Sequence, residues 1–181
     1  MELFLRKSFD ETTTREIAAA AGVAMGTVFL YADNKRDLLF LISNDQLRQI
    51  NEEAERMPAG DGPALDDFLQ VFQLLYRFFG KHPELSRAML REMIFYGTGK
   101  QSIEFQSIRG HLLNLLIAIA KRGQQKGSLR KDVDPSEIAW IVFSIYQVEI
   151  RQWLMGEKPS AAAGIRQLRK SIILCISGLA A

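Results

Sequence analysis

The sequence predicts an all-α protein of about nine helices. Apolar residues recur at three- and four-residue spacing through most of the 181 residues. No segment alternates apolar and polar residues with the period of two that strands require. Glycine, proline, threonine and Asn/Asp signals divide the chain into segments of helical length. With 48% hydrophobic residues, the chain can bury a substantial core.

The segment TTTREIAAAAGVAMGTVFLYADNKRD predicts two short helices and the start of a third. Thr13 and Glu16 have the spacing of a capping box, which begins the first of these helices. Gly22 ends it, because glycine adopts the left-handed conformation at low cost. A second helix is predicted at 25–31, and a third begins near Lys35. This order is that of a helix-turn-helix, whose second helix can enter the DNA major groove, and it also fits an ordinary helical hairpin.

The remaining helices follow from apolar spacing and from their start and stop signals. They are predicted at 35–56, 65–79, 85–96, 103–126 and 135–154, with a last helix whose apolar residues run from Ile165 to Leu179. The predicted buried stripe of the helix 35–56 consists of Leu38, Leu41, Ile42, Asp45 and Ile50. The segment GTGKQS at 97–102 lacks the glycine spacing of a phosphate loop and the Ser or Thr that should follow its lysine, so we expect an interhelical loop.

Composition and motifs exclude several classes of protein. No apolar run approaches the 18 residues of a membrane span, and the N-terminus does not resemble a signal peptide. The single cysteine, Cys175, lies in an apolar run and is expected to be a buried structural thiol in a reducing cytoplasm. The two histidines are far apart, which disfavours a metal site, and no catalytic or dinucleotide-binding motif occurs. We therefore expect neither a cofactor nor an enzyme.

Charge is distributed unevenly along the chain. The net charge is +2 with a pI near 8.7, yet residues 1–46 hold five basic side chains against seven acidic ones. The candidate DNA-binding part is therefore not the basic part. This weakens the case for strong non-specific DNA affinity, which depends on neutralising phosphates.

From Leu3 to Leu39 the sequence resembles the N-terminal domain of the TetR family of bacterial transcription regulators. The matching residues are Leu3, Phe4, Phe9, Asp10, Thr12, Thr13, Ile17, Ala18, Ala21, Gly22, Val23, Gly26, Thr27, Val28, Phe29, Tyr31, Lys35 and Leu38. A looser resemblance covers GSLR and DVDP at 127–135. The first helix is shorter than is usual in the family, and whether the natural chain begins upstream of Met1 stays open.

The resemblance implies a three-helix DNA-binding domain at 1–46 and a helical ligand-binding and dimerisation domain at 47–181. It implies that Thr13 and Lys35 meet phosphates, and that Tyr31 does so or lies along the DNA backbone. It also implies that Phe29 wedges against the DNA backbone and the neighbouring helix. The residues implied to face base edges are Ala24, Met25, Gly26 and Thr27.

The resemblance further implies that the last two helices pair with their copies in a second subunit. The small residues AAAG at 161–164 would permit such a close approach. The middle helices would then enclose a ligand pocket, although for any single residue plain core packing is the favoured explanation. The predicted lining is Phe72, Tyr76, Met89, Met93, Phe95, Phe105, Trp140 and Phe143, and the predicted polar anchors are Tyr96, His111 and Gln147.

The sequence thus predicts a cytoplasmic, homodimeric transcription regulator, a repressor that a small, largely apolar ligand releases from near-palindromic operator DNA. One alternative is a helical ligand-binding or interaction protein that has lost DNA binding, which the acidic N-terminal part and the short first helix suggest. The other alternative is an enzyme working in the aromatic pocket, for which the sequence offers no catalytic constellation.

Overall fold

The computed structural model describes residues 1–157 and 159–178, and these form nine α-helices without a strand. The helices are α1 (Glu2–Lys7), α2 (Thr14–Ala20), α3 (Met25–Tyr31), α4 (Lys35–Arg56), α5 (Ala64–Lys81), α6 (Pro83–Glu92), α7 (Ser102–Gln125), α8 (Pro135–Leu154) and α9 (Ala161–Ser177). The predicted all-α class is confirmed. Among the described residues, no helix combines the length and the apolar character that crossing a bilayer requires.

The chain divides into two compact units. The head unit consists of residues 1–49 and 82–109, and the body unit consists of residues 50–81 and the described residues from 110 onwards. The head unit therefore contains α1 to α3 and the first part of α4, together with α6, the α6–α7 connection and the first part of α7. The predicted division into domains 1–46 and 47–181 stays a prediction.

In the head unit, α2 and α3 share a small apolar core. Its buried residues are Ala18, Val28, Ala32 and Leu38, against which Ile17 and Met25 pack. The chain turns between the helices at Gly22, which has a φ of 67°, as the sequence predicted. Ser8, which follows α1, has a φ of 75°, a region that costs a side-chain-bearing residue energy.

Two details of the head unit differ from the sequence prediction. In α4 the buried apolar residues include Leu39, Phe40 and Leu47, whereas Leu41 is exposed. The predicted stripe was therefore partly wrong, because the helix packs against neighbours on more than one side. Helix α6 ends at Glu92 rather than at Tyr96. Phe95 adopts a φ of 56°, which a right-handed α-helix does not allow.

The body unit is organised by α5, whose apolar face packs against α8 and α9. The Phe72 and Tyr146 rings stack with their centroids 4.5 Å apart. Gly164 of α9 lies so close to the Tyr76 ring that a Cβ at this position would clash with it. The close approach predicted for the AAAG segment therefore occurs within the chain.

Helix α9 is buried on one side only. Leu168 and Ile172 are fully buried, whereas Leu174 is 57% exposed. Cys175 is also exposed, so the expectation of a buried thiol was wrong for the single chain. Leu179, predicted to belong to the last helix, lies outside the described residues.

Candidate nucleic-acid interface

The N-terminus of α2 begins with the predicted capping box. The backbone N–H of Thr13 donates to the Glu16 carboxylate at 2.9 Å, and the Glu16 N–H donates to the Thr13 hydroxyl at 3.2 Å. Lys7 also donates to Glu16. The hydrogen bond from Lys7 first, and those from Thr13 next, lower the pKa of Glu16 to about 2. Thr13 is exposed, and its hydroxyl also donates to the Glu16 carboxylate at 2.9 Å.

Helix α3 presents most of its residues to solvent. Val28 is buried and Met25 is half-buried against the small core, whereas Ala24, Gly26 and Thr27 are exposed. Two aromatic side chains of the same helix are also exposed: Phe29 at 47% and Tyr31 at 58%. An ordinary helical hairpin would bury such residues. The helix therefore offers small side chains for close approach and aromatic ones beside them.

Lys35, the first residue of α4, is half-buried and partly engaged. Its ammonium donates to the Asp10 carbonyl at 3.0 Å and lies 4.6 Å from the centroid of the Phe9 ring. These contacts fix the charge beside the α1–α2 connection. An ammonium has three donors, so Lys35 can still reach a phosphate.

The acidic character of residues 1–46 is largely compensated within the head unit. Counted over both of its segments, the head unit holds ten basic and ten acidic side chains. Arg91 pairs with Asp10 at 2.6 Å, and Lys100 pairs with Asp33 at 3.1 Å. The count over residues 1–46 leaves this compensation out, because Arg91 and Lys100 lie in the segment 82–109. Arg15, which was not among the predicted DNA contacts, is an exposed cation in the first turn of α2.

The connection between α6 and α7 contacts the end of α3 and the start of α4. Tyr96 and the backbone N–H of Lys100 both donate to Asp37. The Lys100 ammonium donates to the Phe29 carbonyl, and the Gln101 side chain donates to the Tyr31 carbonyl at 3.0 Å. No local pattern in the sequence indicates these contacts, which join residues 59 to 71 positions apart.

Asp37 is fully buried at the centre of these contacts. Its burial opposes ionisation, but the hydrogen bonds from Tyr96 and from the N–H groups of Asp33 and Lys100 outweigh it, so the pKa of Asp37 is lowered. Burial, followed by the nearby Asp37 carboxylate, raises the pKa of Tyr96. A charged acceptor facing neutral donors makes these hydrogen bonds strong.

The eleven predicted pocket residues are divided between the two units. The head unit contains Met89, Met93, Phe95, Tyr96 and Phe105. Tyr96 stacks on Phe40 at 4.1 Å and Phe105 also packs on Phe40, so both contribute to the head core. Phe95 is 95% exposed. Their role as pocket residues stays a prediction.

The body unit contains the other six, namely Phe72, Tyr76, His111, Trp140, Phe143 and Gln147. Phe72 and Tyr76 are fully buried, and Trp140 is half exposed. The Tyr76 hydroxyl is buried without a hydrogen-bond partner, and its burial first, with Glu149 next, raises its pKa. His111 hydrogen-bonds Glu55 at 2.7 Å. Among the described residues, no group of three or more His, Cys, Asp or Glu side chains could hold a metal ion.

An exposed recognition helix after a glycine turn, at the head of an all-α chain, defines a helix-turn-helix DNA-binding protein. The family can be stated as well. A family model described as "Bacterial regulatory proteins, tetR family" matches residues 1–42, and another described as "Tetracyclin repressor-like, C-terminal domain" matches residues 65–175. The chain therefore belongs to the TetR family, as predicted, and it is a DNA-binding transcriptional regulator.

Several relatives share the fold at low sequence identity. The "Fatty acid metabolism regulator protein" of Bacillus subtilis is 22% identical over 158 residues, covering 87% of this chain and 81% of the relative. The crystal structure of FadR from Bacillus subtilis in complex with stearoyl-CoA has a TM-score of 0.73 at 20% identity, covering 99% of this chain and 95% of the other. The structure of Thermus thermophilus FadR, a repressor in complex with lauroyl-CoA, has a TM-score of 0.73 at 23% identity, covering 100% of this chain and 93% of the other.

Proposed function

We propose that this chain is a homodimeric, cytoplasmic repressor that an acyl-CoA releases from its operator. The observation that carries the proposal is the solvent-exposed α3, with Thr27 and Tyr31 accessible, in a chain whose relatives include acyl-CoA complexes. The acyl chain meets the expectation of an apolar ligand. The coenzyme portion makes the proposed effector larger and more polar than the sequence suggested.

For DNA contact, we assign phosphates to Thr13 and Lys35, with Tyr31 at or along the DNA backbone. Phe29 wedges between the DNA backbone and the neighbouring helix. We add Arg15, because it is an exposed cation in the first turn of α2, two residues after Thr13. The residues assigned to base edges are Ala24, Met25, Gly26 and Thr27. Ala24 and Met25 can offer only apolar contact, as to a thymine methyl.

For dimerisation, we assign the exposed apolar sides of α8 and α9. These sides carry Trp140, Ile141, Val148, Ile173, Leu174 and Ile176, each more than a third exposed in the single chain. A monomer rarely leaves so many large apolar side chains on two adjacent helices. Two subunits related by a two-fold axis would present two recognition helices, which suits a near-palindromic operator.

For ligand binding, the body unit offers the Tyr76 hydroxyl, an unsatisfied donor beside the aromatic rings of Tyr146 and Trp153. The Tyr76 hydroxyl is fully buried and has no partner, which costs about 1–3 kcal/mol. A thioester carbonyl accepting from this hydroxyl would recover that cost, while the neighbouring rings would suit an alkyl chain. The remaining predicted pocket residues are kept as a proposal: Phe72, Met89, Met93, Phe95, Tyr96, Phe105, His111, Trp140, Phe143 and Gln147.

Fluorescence anisotropy with labelled DNA from the region upstream of its own gene tests the proposal. Lauroyl-CoA and stearoyl-CoA should each weaken operator binding, whereas coenzyme A alone and lauric acid alone should not. Linkage requires the operator to weaken acyl-CoA binding by the same factor. Operator binding that is indifferent to both acyl-CoAs would exclude this effector class. A folded protein that binds lauroyl-CoA but no DNA at low salt would favour the alternative of a ligand-binding protein.

A further inference from the structure

The recognition helix α3 is short, and no side chain of its own caps its C-terminus. It has seven residues, the N–H of its C-cap residue Ala32 donates to the Val28 carbonyl, and no basic side chain lies in its last turn. The carbonyls at the end of a helix have no partner within that helix. A helix of two turns is also marginal without support from outside. Its order must therefore come from elsewhere in the head unit.

Residues 100 and 101 supply this missing cap from a distant part of the chain. The Lys100 ammonium donates to the Phe29 carbonyl, and the Gln101 amide donates to the Tyr31 carbonyl at 3.0 Å. Lys100 also pairs with Asp33 at 3.1 Å, just beyond the helix. A cation at a helix C-terminus is favourable for the helix dipole. Both donors act on the backbone, so they leave the side chains of Thr27 and Tyr31 free to face DNA.

The capping residues are themselves held by the buried Asp37. Its carboxylate accepts from the Asp33 N–H at 2.9 Å and from the Lys100 N–H at 2.9 Å, and it also accepts from the Tyr96 hydroxyl. Gly99 has a φ of 122°, and a Cβ there would clash with the Asp37 carboxylate. The α6–α7 connection therefore packs directly against the Asp37 side chain of α4, and these contacts are present in the protein without DNA.

We propose that Lys100 and Gln101 are positioning residues for DNA recognition, which cap the recognition helix from the α6–α7 connection with Asp37 and Tyr96 as their anchor. This role is distinct from contacting DNA. A cation at a helix C-terminus contributes about 0.3–2 kcal/mol, so removing the Lys100 donor should weaken specific binding roughly 2- to 30-fold. Non-specific binding should change little, because it does not require an ordered α3.

The first test does not depend on any operator. Hydrogen–deuterium exchange of the DNA-free protein compares wild type with Lys100→Met, which keeps the chain length but removes the donor. Peptides covering residues 25–32 should exchange faster in the variant, whereas peptides covering α2 should not. Lys131→Met, which removes an exposed lysine from a loop of the body unit, is the matched control. Unchanged exchange at 25–32 would overturn the proposal.

The second test uses operator DNA and separates positioning from phosphate contact. Lys100→Met should weaken operator binding while leaving the slope of log K against log salt unchanged, and Lys100→Arg should restore binding. A slope reduced by roughly one would instead show a direct phosphate contact and refute the positioning role. Tyr96→Phe, which keeps the ring stacked on Phe40, serves if Lys100→Met does not fold. In Tyr96→Phe, peptides covering residues 25–32 should exchange faster than in wild type. Exchange at the wild-type rate in this variant would overturn the proposal.

Discussion

Different interactions stabilise two regions of the molecule, the DNA-facing part of the head unit and the body unit. In the head unit, α2 begins at a capping box, and α3 is capped by Lys100 and Gln101 through single hydrogen bonds to named atoms. In the body unit, α5, α8 and α9 meet through aromatic rings such as those of Phe72 and Tyr146. Directional polar contacts fix individual residues, whereas ring packing fixes whole helices.

This difference predicts how the two regions respond to change. Replacing a side chain that makes one of these hydrogen bonds in the head unit should alter DNA affinity more than the free energy of unfolding. Replacing a packed apolar residue of the body unit should alter the free energy of unfolding more than DNA affinity.

The largest effect is expected at the exposed apolar side of α9. Leu174→Asp leaves the single chain able to fold, since Leu174 is 57% exposed there, but it would bury a charge in the proposed dimer. We expect the dimer dissociation constant to rise at least about 100-fold, measured by light scattering across a concentration series. Gln70→Asp, on the exposed side of α5, is the control. A dimer that persists unchanged in Leu174→Asp would place the interface elsewhere.

Two glycine substitutions compare the regions directly. Gly164→Ala forces a methyl group into the Tyr76 ring and should cost about 1–3 kcal/mol in the free energy of unfolding. Gly26→Ala meets no atom within 4 Å and should stabilise α3 by up to about 1 kcal/mol. Urea unfolding at one fixed protein concentration measures both. Operator affinity should fall in Gly26→Ala, because Gly26 is assigned to a base edge, and it should not fall in Gly164→Ala. A folded Gly164→Ala protein with reduced operator affinity would contradict the contrast between the two regions.

Replacing Lys35 tests whether its ammonium contacts a DNA phosphate. Lys35→Ala should weaken binding to operator and to unrelated DNA alike, and it should reduce the salt slope by roughly one. Anisotropy titrations at several salt concentrations measure the slope, with Lys131→Ala as the control. An unchanged slope would mean that the contacts of Lys35 with Asp10 and Phe9 are its only role, and would remove it from the DNA interface.

The sequence predicted the helix-turn-helix closely because its signals are local. The bounds of α3, and those of α4 from Lys35 to Arg56, agree with the structure. The capping box at Thr13 and the left-handed Gly22 were also found, since each needs only residues three or four positions away. The exposure of Thr27 and Tyr31 followed from the same segment.

The end of α6 could not be predicted in the same way. The apolar spacing continues to Tyr96, but the helix ends at Glu92 because Tyr96 turns to donate to Asp37, 59 positions earlier. Cys175 was misjudged for a related reason, since an apolar run can face either the interior or another surface. Whether the eleven predicted pocket residues form one site depends on ligand contacts, which apolar spacing does not specify.

The smallest effect is expected at the capping box, and it depends on pH. In the folded protein the pKa of Glu16 is about 2, below its ordinary value of 4.5. Between these two pH values the unfolded chain therefore binds more protons than the folded protein does. Its stabilising contribution is therefore complete above pH 4.5 and is lost as the pH falls towards 2. Thermal unfolding between pH 7 and pH 2 should show a shallower acid-side decline for Glu16→Gln than for wild type. Lys7→Met should reduce the decline in part, because Lys7 makes the largest contribution to the lowered pKa. Equal acid-side declines in all three proteins would mean that the box orders α2 without contributing to the pH dependence of folding.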